Sequence, residues 1–189
     1  MNKQTLNNLY EKATYKMLRV VPYLPLVINP PLREVCIEVT NNCDLRCKTC
    51  NLRNMKRDFG YMPLGLYKKV IGEMKQMNVE RLHLNFEGES FLNPQIKDFL
   101  RLSVESGARS RQMFTNGMRV APYLEDIAKY LTKIIFSIDG VGLVNDSIRV
   151  GSKYDIITEN LHKLVAIRNA TKSPLKIGVN MTNYTQTPH

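Results

Sequence analysis

IEVTNNCDLRCKTC, residues 37–50, joins an alternating apolar and polar run to three cysteines, Cys43, Cys47 and Cys50, in a chain with only one more, Cys36. A structural zinc ion takes four protein ligands, commonly from two knuckles. The second knuckle is missing here, so His83, His162 or His189 would have to supply a ligand from far away. A cubane iron-sulfur cluster normally takes four thiolates, and three from one loop leave one iron open to a small molecule. Both chemistries place a metal directly behind a strand.

Outward from that stretch the strand pattern recurs. In the first strand Val35, Ile37 and Val39 share one face, and Cys36, Glu38 and Thr40 share the other. Runs at 81–88, 111–117, 133–140 and 176–183 are also rich in β-branched and aromatic residues and mostly end at Gly or Asn. Leu82, Leu84 and Phe86 oppose His83, Asn85 and Glu87; Ile134, Phe136 and Ile138 oppose Ser137 and Asp139; Ile177, Val179 and Met181 oppose Gly178, Asn180 and Thr182. Helical spacing fills the gaps. Tyr67, Val70, Ile71, Met74 and Met77 share a face, and a second helix begins at Asn93 and Pro94, buries Ile96, Phe99, Leu100 and Val104, and stops at Gly107. A third opens at Pro122 with Leu124, Ile127, Ala128 and Leu131, and a fourth groups Ile157, Leu161, Leu164 and Val165.

Strands and helices in regular alternation make βαβ units with parallel strands. Central parallel strands are usually apolar on both faces, whereas these keep one polar face. The expected fold class is therefore α/β, a partial (β/α) TIM-like barrel of about five parallel strands with helices outside and a polar concave face open to a ligand. Cys36 and His83 should face that hollow and are assigned ordinary buried roles. Leu6, Tyr10, Ala13 and Met17 predict an N-terminal amphipathic helix, so residues 1–30 read as helix and linker and 31–189 as the barrel. The chain stops soon after its fifth strand, which reads as a fragment or as an edge to be covered by a partner or a further segment.

Lys and Arg number 27 against 17 Asp and Glu, a net charge of +10 that attracts anions. The basic residues are dispersed and accompany no recognition motif, so a solvated basic surface is expected rather than a nucleic-acid groove. The apolar run VVPYLPLVI is broken by Pro22 and Pro25 and is too short to span a bilayer. The expected location is cytoplasmic, where clustered cysteines bind metal or do redox work.

The CxxxCxxC spacing of CDLRCKTC, placed after a first strand, resembles the signature of the radical S-adenosylmethionine (radical SAM) enzymes. The likeness runs from about Pro31 to Asn183, and the IEVTNNCDLRCKTC segment is most similar to the SPASM, peptide-modifying branch, without its auxiliary-cluster region. That resemblance implies a 4Fe–4S cluster held by Cys43, Cys47 and Cys50 and S-adenosylmethionine chelated at the open iron. It implies reductive cleavage of S-adenosylmethionine and abstraction of a hydrogen atom from a small-molecule or peptide substrate. A reduced flavodoxin-type or ferredoxin-type donor would supply the electron. EGES, residues 87–90, resembles the family's GGEP turn and places Gly88 and Glu89 by the methionine amino group. FSIDG points to Ser137 and Asp139 at the ribose, DSIRVG to Arg149 at the methionine carboxylate, and Asn180 to the adenine. Thr49 stands where the family often has an apolar residue, and Glu87 and Ser90 depart from GGEP. A non-catalytic iron-sulfur or anion-binding module and a structural zinc site are the alternative readings.

Overall fold

A computed structural model describes residues 31–182 of this chain, which belong to one compact unit, Pro31–His189. The predicted N-terminal helix and its linker lie outside the described residues. In chain order the elements are β1 (Glu34–Cys36), β2 (Arg46–Cys47), α1 (Leu64–Gln76), β3 (Arg81–His83), α2 (Ile96–Ser103), β4 (Ser110–Thr115), α3 (Leu124–Tyr130), β5 (Lys133–Ser137), α4 (Leu143–Ile148), β6 (Arg149–Val150), α5 (Tyr154–Ala170) and β7 (Lys176–Asn180).

Five strands form one parallel sheet in the order β1-β3-β4-β5-β7, each the immediate neighbour of the one before it in that series. Helices α1, α2, α3 and α5 make the crossovers, and the whole is a partial TIM-like α/β barrel. Two-residue strands β2 and β6 pair antiparallel outside that sheet. The strands are shorter than their sequence patterns, although ladder bonds continue past them: Ile37 N donates to His83 O and Leu84 N to Gln112 O.

One face of the sheet makes the core. Ile37, Val39, Leu82, Leu84, Met113, Ile134 and Phe136 meet Tyr67, Ile71, Met74, Phe99, Leu100, Ile127, Ile157 and Leu164 from the helices, all buried. Helix α1 ends with Asn78 in the left-handed region (φ 54°) and Val79 N bonded back to Met74 O, a Schellman closure that also buries the Met74 and Val79 side chains. The helix predicted from Asn93 begins later. Asn93 first makes a turn, its Oδ1 accepting from Gln95 N, and Val104, expected in the core, lies 46% exposed beyond the end of α2.

The opposite face is polar, as the alternation indicated, but Cys36 is exposed and His83 only half-buried, which corrects the buried roles assigned to them. Among the described residues no helix packs on that face of β1 and β3. Val179 and Met181 are also exposed, because β7 is the edge strand of the described sheet. Among the described residues no helix is long and apolar enough to cross a membrane.

Leu82 is fully buried at the centre of this core. Leu82→Ala should lower the unfolding free energy by about 2–5 kcal/mol, read from urea melts followed by far-ultraviolet circular dichroism.

Candidate active site

The backbone leaving β1 is fixed before it reaches the first cysteine. Thr40 Oγ1 donates to Gly60 O (2.6 Å) and accepts from Asn42 N (3.1 Å), while Asn41 takes Gly60 N on Oδ1 (2.7 Å) and gives Nδ2 to Asp58 O (2.9 Å). The segment after the cysteines is thereby folded back onto the end of the strand. From the other side comes the turn that follows β3. Gly88 has φ +75°, and a Cβ there would stand 2.7 Å from Asn41 C and from Asn42 O. Only glycine fits, and the adjacent Glu89 N donates to Asn42 O at 2.7 Å.

Glu89 itself is 2% exposed. Its carboxylate accepts from Asn116 N (2.7 Å), Phe91 N (3.3 Å) and Thr115 Oγ1 (3.0 Å), yet no cation pairs with it among the described residues. Burial outweighs those donors and pushes its pKa up to about 7, with the Asp44 charge adding to the rise. Asp44, inside the cysteine loop, is held by Asn116 Nδ2 (2.9 Å) and Arg119 Nε (2.8 Å). The residues that end β4 therefore brace both the carboxylate and the loop.

The middle cysteine is held by the β2–β6 ribbon, which pairs Cys47 with Arg149 and adds Lys48 N to Ile148 O. Arg149 Nη1 lies 3.9 Å from Cys47 Sγ, and its Nε is 2.8 Å from Asp139 Oδ2 without the alignment of a hydrogen bond. Asp139 Oδ1 also accepts from Thr182 N (2.8 Å). Burial pushes the Cys43 thiol up to about 11 and raises that of Cys47, the latter opposed by the Arg149 charge. Burial thus disfavours the thiolate at both positions.

One cavity is bordered by Cys43, Cys47, Cys50, Gly88, Glu89, Ser137 and Arg149, with Thr49, Asn85, Phe86, Phe114, Thr115 and Asn116 also in its wall. The same sulfurs border a second cavity with Arg46, Arg53, Met55 and Phe59. Asp139 and Asn180 are outside the first wall: Asp139 lies behind Arg149, and exposed Asn180 sits beside Ser137 in register across β5 and β7. Glu38, though on the polar face, is taken by Arg57 (2.7 Å to Nη2) and by Glu87 N (3.2 Å).

The sequence model described as the radical SAM superfamily matches residues 37–180. The chain belongs to the radical SAM superfamily. A tungsten-containing aldehyde ferredoxin oxidoreductase cofactor-modifying protein of Pyrococcus furiosus is 24% identical over 166 residues, 83% of this chain and 46% of that protein. Streptococcus suis SuiB bound to precursor peptide SuiA superposes with a TM-score of 0.68 at 18% identity, covering 99% of this chain and 40% of SuiB. BtrN in complex with AdoMet and 2-DOIA gives 0.57 at 19% identity, over 79% of this chain and 57% of BtrN. The chain thus spans about half the length of the relatives it matches.

In this radical SAM domain the sequence reading missed Thr115 and Asn116, the clamp on Asp44, and the ribbon through Cys47. FTNG after β4 carried the one available signal, a polar Thr-Asn pair at a strand's C-terminal end, where α/β folds hold ligands.

Glu89 supplies a test. Protonated, it is buried without charge; the unfolded chain ionises it near the ordinary value of 4.5, the folded chain near 7. Stability of the metal-free protein should therefore fall as pH rises from about 4.5 to 7, by about 3 kcal/mol. Glu89→Gln should flatten that part of the profile in urea melts run across the range.

Proposed function

We propose that this domain is the catalytic core of a radical SAM enzyme, in which Cys43, Cys47 and Cys50 hold three irons of a 4Fe–4S cluster and leave the fourth for S-adenosylmethionine. The observation that carries this reading is the shared cavity, which three thiols, an uncompensated buried carboxylate and a guanidinium border together. The donor set fits the group, since such clusters are held by thiolates.

When bound, the cluster, held by Cys43, Cys47 and Cys50, would supply one-electron reductive cleavage of S-adenosylmethionine and, through it, hydrogen-atom abstraction from the substrate. The chain's own residues bind and orient. Glu89 receives the methionine ammonium, which supplies the counter-charge its burial lacks, and Gly88 lets the turn approach closely. Arg149 pairs with the methionine carboxylate while Asp139 holds its other edge. The Ser137 hydroxyl meets the ribose, and Asn180, beside it in register, lies toward the adenine. Phe114 and the more exposed Phe86 add apolar surface to the cavity wall.

The substrate is proposed to be a peptide, in keeping with the peptide-modifying look of the cysteine segment, with a small molecule as the other class. A reduced flavodoxin-type or ferredoxin-type protein is the proposed electron donor, and the net charge of +10 favours docking of an acidic one. Cys36 is the one cysteine outside the triad, so no auxiliary cluster is assigned to this chain. Residues 1–30 are read as a segment apart from the barrel, the protein as cytoplasmic, and the β7 edge as covered by a partner or further chain.

Anaerobic reconstitution followed by dithionite and S-adenosylmethionine should yield about four irons per chain and release 5'-deoxyadenosine, quantified by chromatography. Cys47→Ala should abolish both, and Glu89→Gln should keep the iron but weaken S-adenosylmethionine binding by roughly tenfold or more. An intact cluster that binds S-adenosylmethionine without releasing 5'-deoxyadenosine would reduce the domain to a non-catalytic carrier. Stoichiometric zinc on the cysteine triad in place of iron would overturn the reading.

A further inference from the structure

A different group of ligating side chains lies on the polar face, nearer the start of the strands than the cysteine loop. Cys36 on β1 and His83 on β3 are partners in the parallel register, and Glu34 is two residues before Cys36 on the same face. One ligand atom from each, a carboxylate oxygen, a thiol sulfur and an imidazole nitrogen, lie within 4.8 Å of one another. Asn85, one pleat further along β3, borders the candidate active site, so His83 lies about 7 Å along the strand from that residue.

Two further observations bear on this group. The first is the crowding of one nitrogen. His83 Nε2 contacts both Glu34 Oε1 and the side-chain amide of Gln112, the latter at 2.7 Å. A protonated Nε2 satisfies the carboxylate but opposes the amide N–H; an unprotonated Nε2 accepts the amide but opposes the carboxylate. Turning the amide leaves one proton for two oxygens. A cation among the three groups takes the imidazole lone pair, the carboxylate and the thiolate together, with the Gln112 amide turned away from Nε2. The second is the bracing of the carboxylate: Arg81 Nε donates to Glu34 Oε2 at 2.7 Å, leaving Oε1 aimed at His83. Outer partners of this kind orient metal ligands.

We propose that Glu34, Cys36 and His83 form a mononuclear site for a divalent cation of borderline softness, zinc foremost, on the open face of the sheet. Mixed nitrogen, sulfur and oxygen donors suit zinc, and three protein ligands leave one position for water or for a group of the substrate. Cys36 and Glu34 are exposed, so the ion reaches the group from solvent and parts the direct contact between Glu34 Oε1 and His83 Nε2 as it binds. The site is independent of the cysteine triad: it uses none of those sulfurs.

Cobalt titration under anaerobic conditions tests this. In cluster-free protein carrying Cys43→Ser, Cys47→Ser and Cys50→Ser, one equivalent of cobalt should produce thiolate-to-cobalt charge-transfer absorption. Adding Cys36→Ser should remove it, and Arg81→Gln should weaken cobalt binding by roughly tenfold. The wild-type chain, loaded with iron and sulfide and then exposed to zinc, should retain one zinc per chain by elemental analysis, and Cys36→Ser should lose the zinc while keeping its iron. A folded triple variant without the absorption, or absorption that survives Cys36→Ser, overturns the proposal. Should the triple variant not fold, zinc retention unchanged by Cys36→Ser in the iron-loaded chain overturns it equally. A chain that binds cobalt at Cys36 but no iron would keep this site and refute the cluster, so the two readings fail separately.

Discussion

The seat of Gly88 against Asn41 and Asn42 is the contact on which the site depends. Parallel pairing of β1 with β3 brings the two strands' C-terminal ends side by side, so the cysteine loop and the turn after β3 compete for one space. They share it because Gly88 has no side chain and because Glu89 N closes a bond onto Asn42 O. A larger residue would push against backbone rather than against a flexible side chain, and the displacement would be felt at both Cys43 and Glu89. The cysteine loop thus borrows its shape from its neighbour in the sheet.

Two buried carboxylates in this site have opposite surroundings. Asp139 has Arg149 beside it and a backbone donor from Thr182, so its negative charge is answered within the protein. Glu89 has three hydrogen-bond donors but no cation, and burial prevails over them. Donors orient a carboxylate; they do not neutralise it. The difference separates an acid that sits against Arg149 next to Cys47 from one buried without a cation beside it. Further down the same face Glu34 is partnered by Arg81 and His83 together, a third arrangement.

Much of the fold was legible in the chain because its cues are local. Period-two runs and helical stripes fixed the strand and helix order, and the pairing of polar with apolar faces indicated which side would be covered. Cys43, Cys47, Cys50, Gly88, Glu89, Ser137 and Arg149, each read from short motifs, border one cavity. What escaped is non-local. The β2–β6 ribbon is two residues long and carries no periodicity, and helix α4 turns Leu143 and Val144 outward, 86% and 58% exposed, so it has no apolar stripe to find. Asp139, read from its place at a strand end, is drawn back by Arg149. Cys36, read as buried, is exposed and His83 half-buried, because the described crossover helices pack on the other face.

Arg149 stands 102 residues beyond the sulfur it accompanies. At synthesis rates of about 5–20 residues per second the thiols leave the ribosome roughly 5–20 s before their guanidinium neighbour exists. During that interval Cys43, Cys47 and Cys50 belong to a nascent chain whose β2–β6 ribbon cannot yet form, open to oxidants and to stray metal ions. The ribbon that positions Cys47 can therefore close only after four of the five sheet strands have been made.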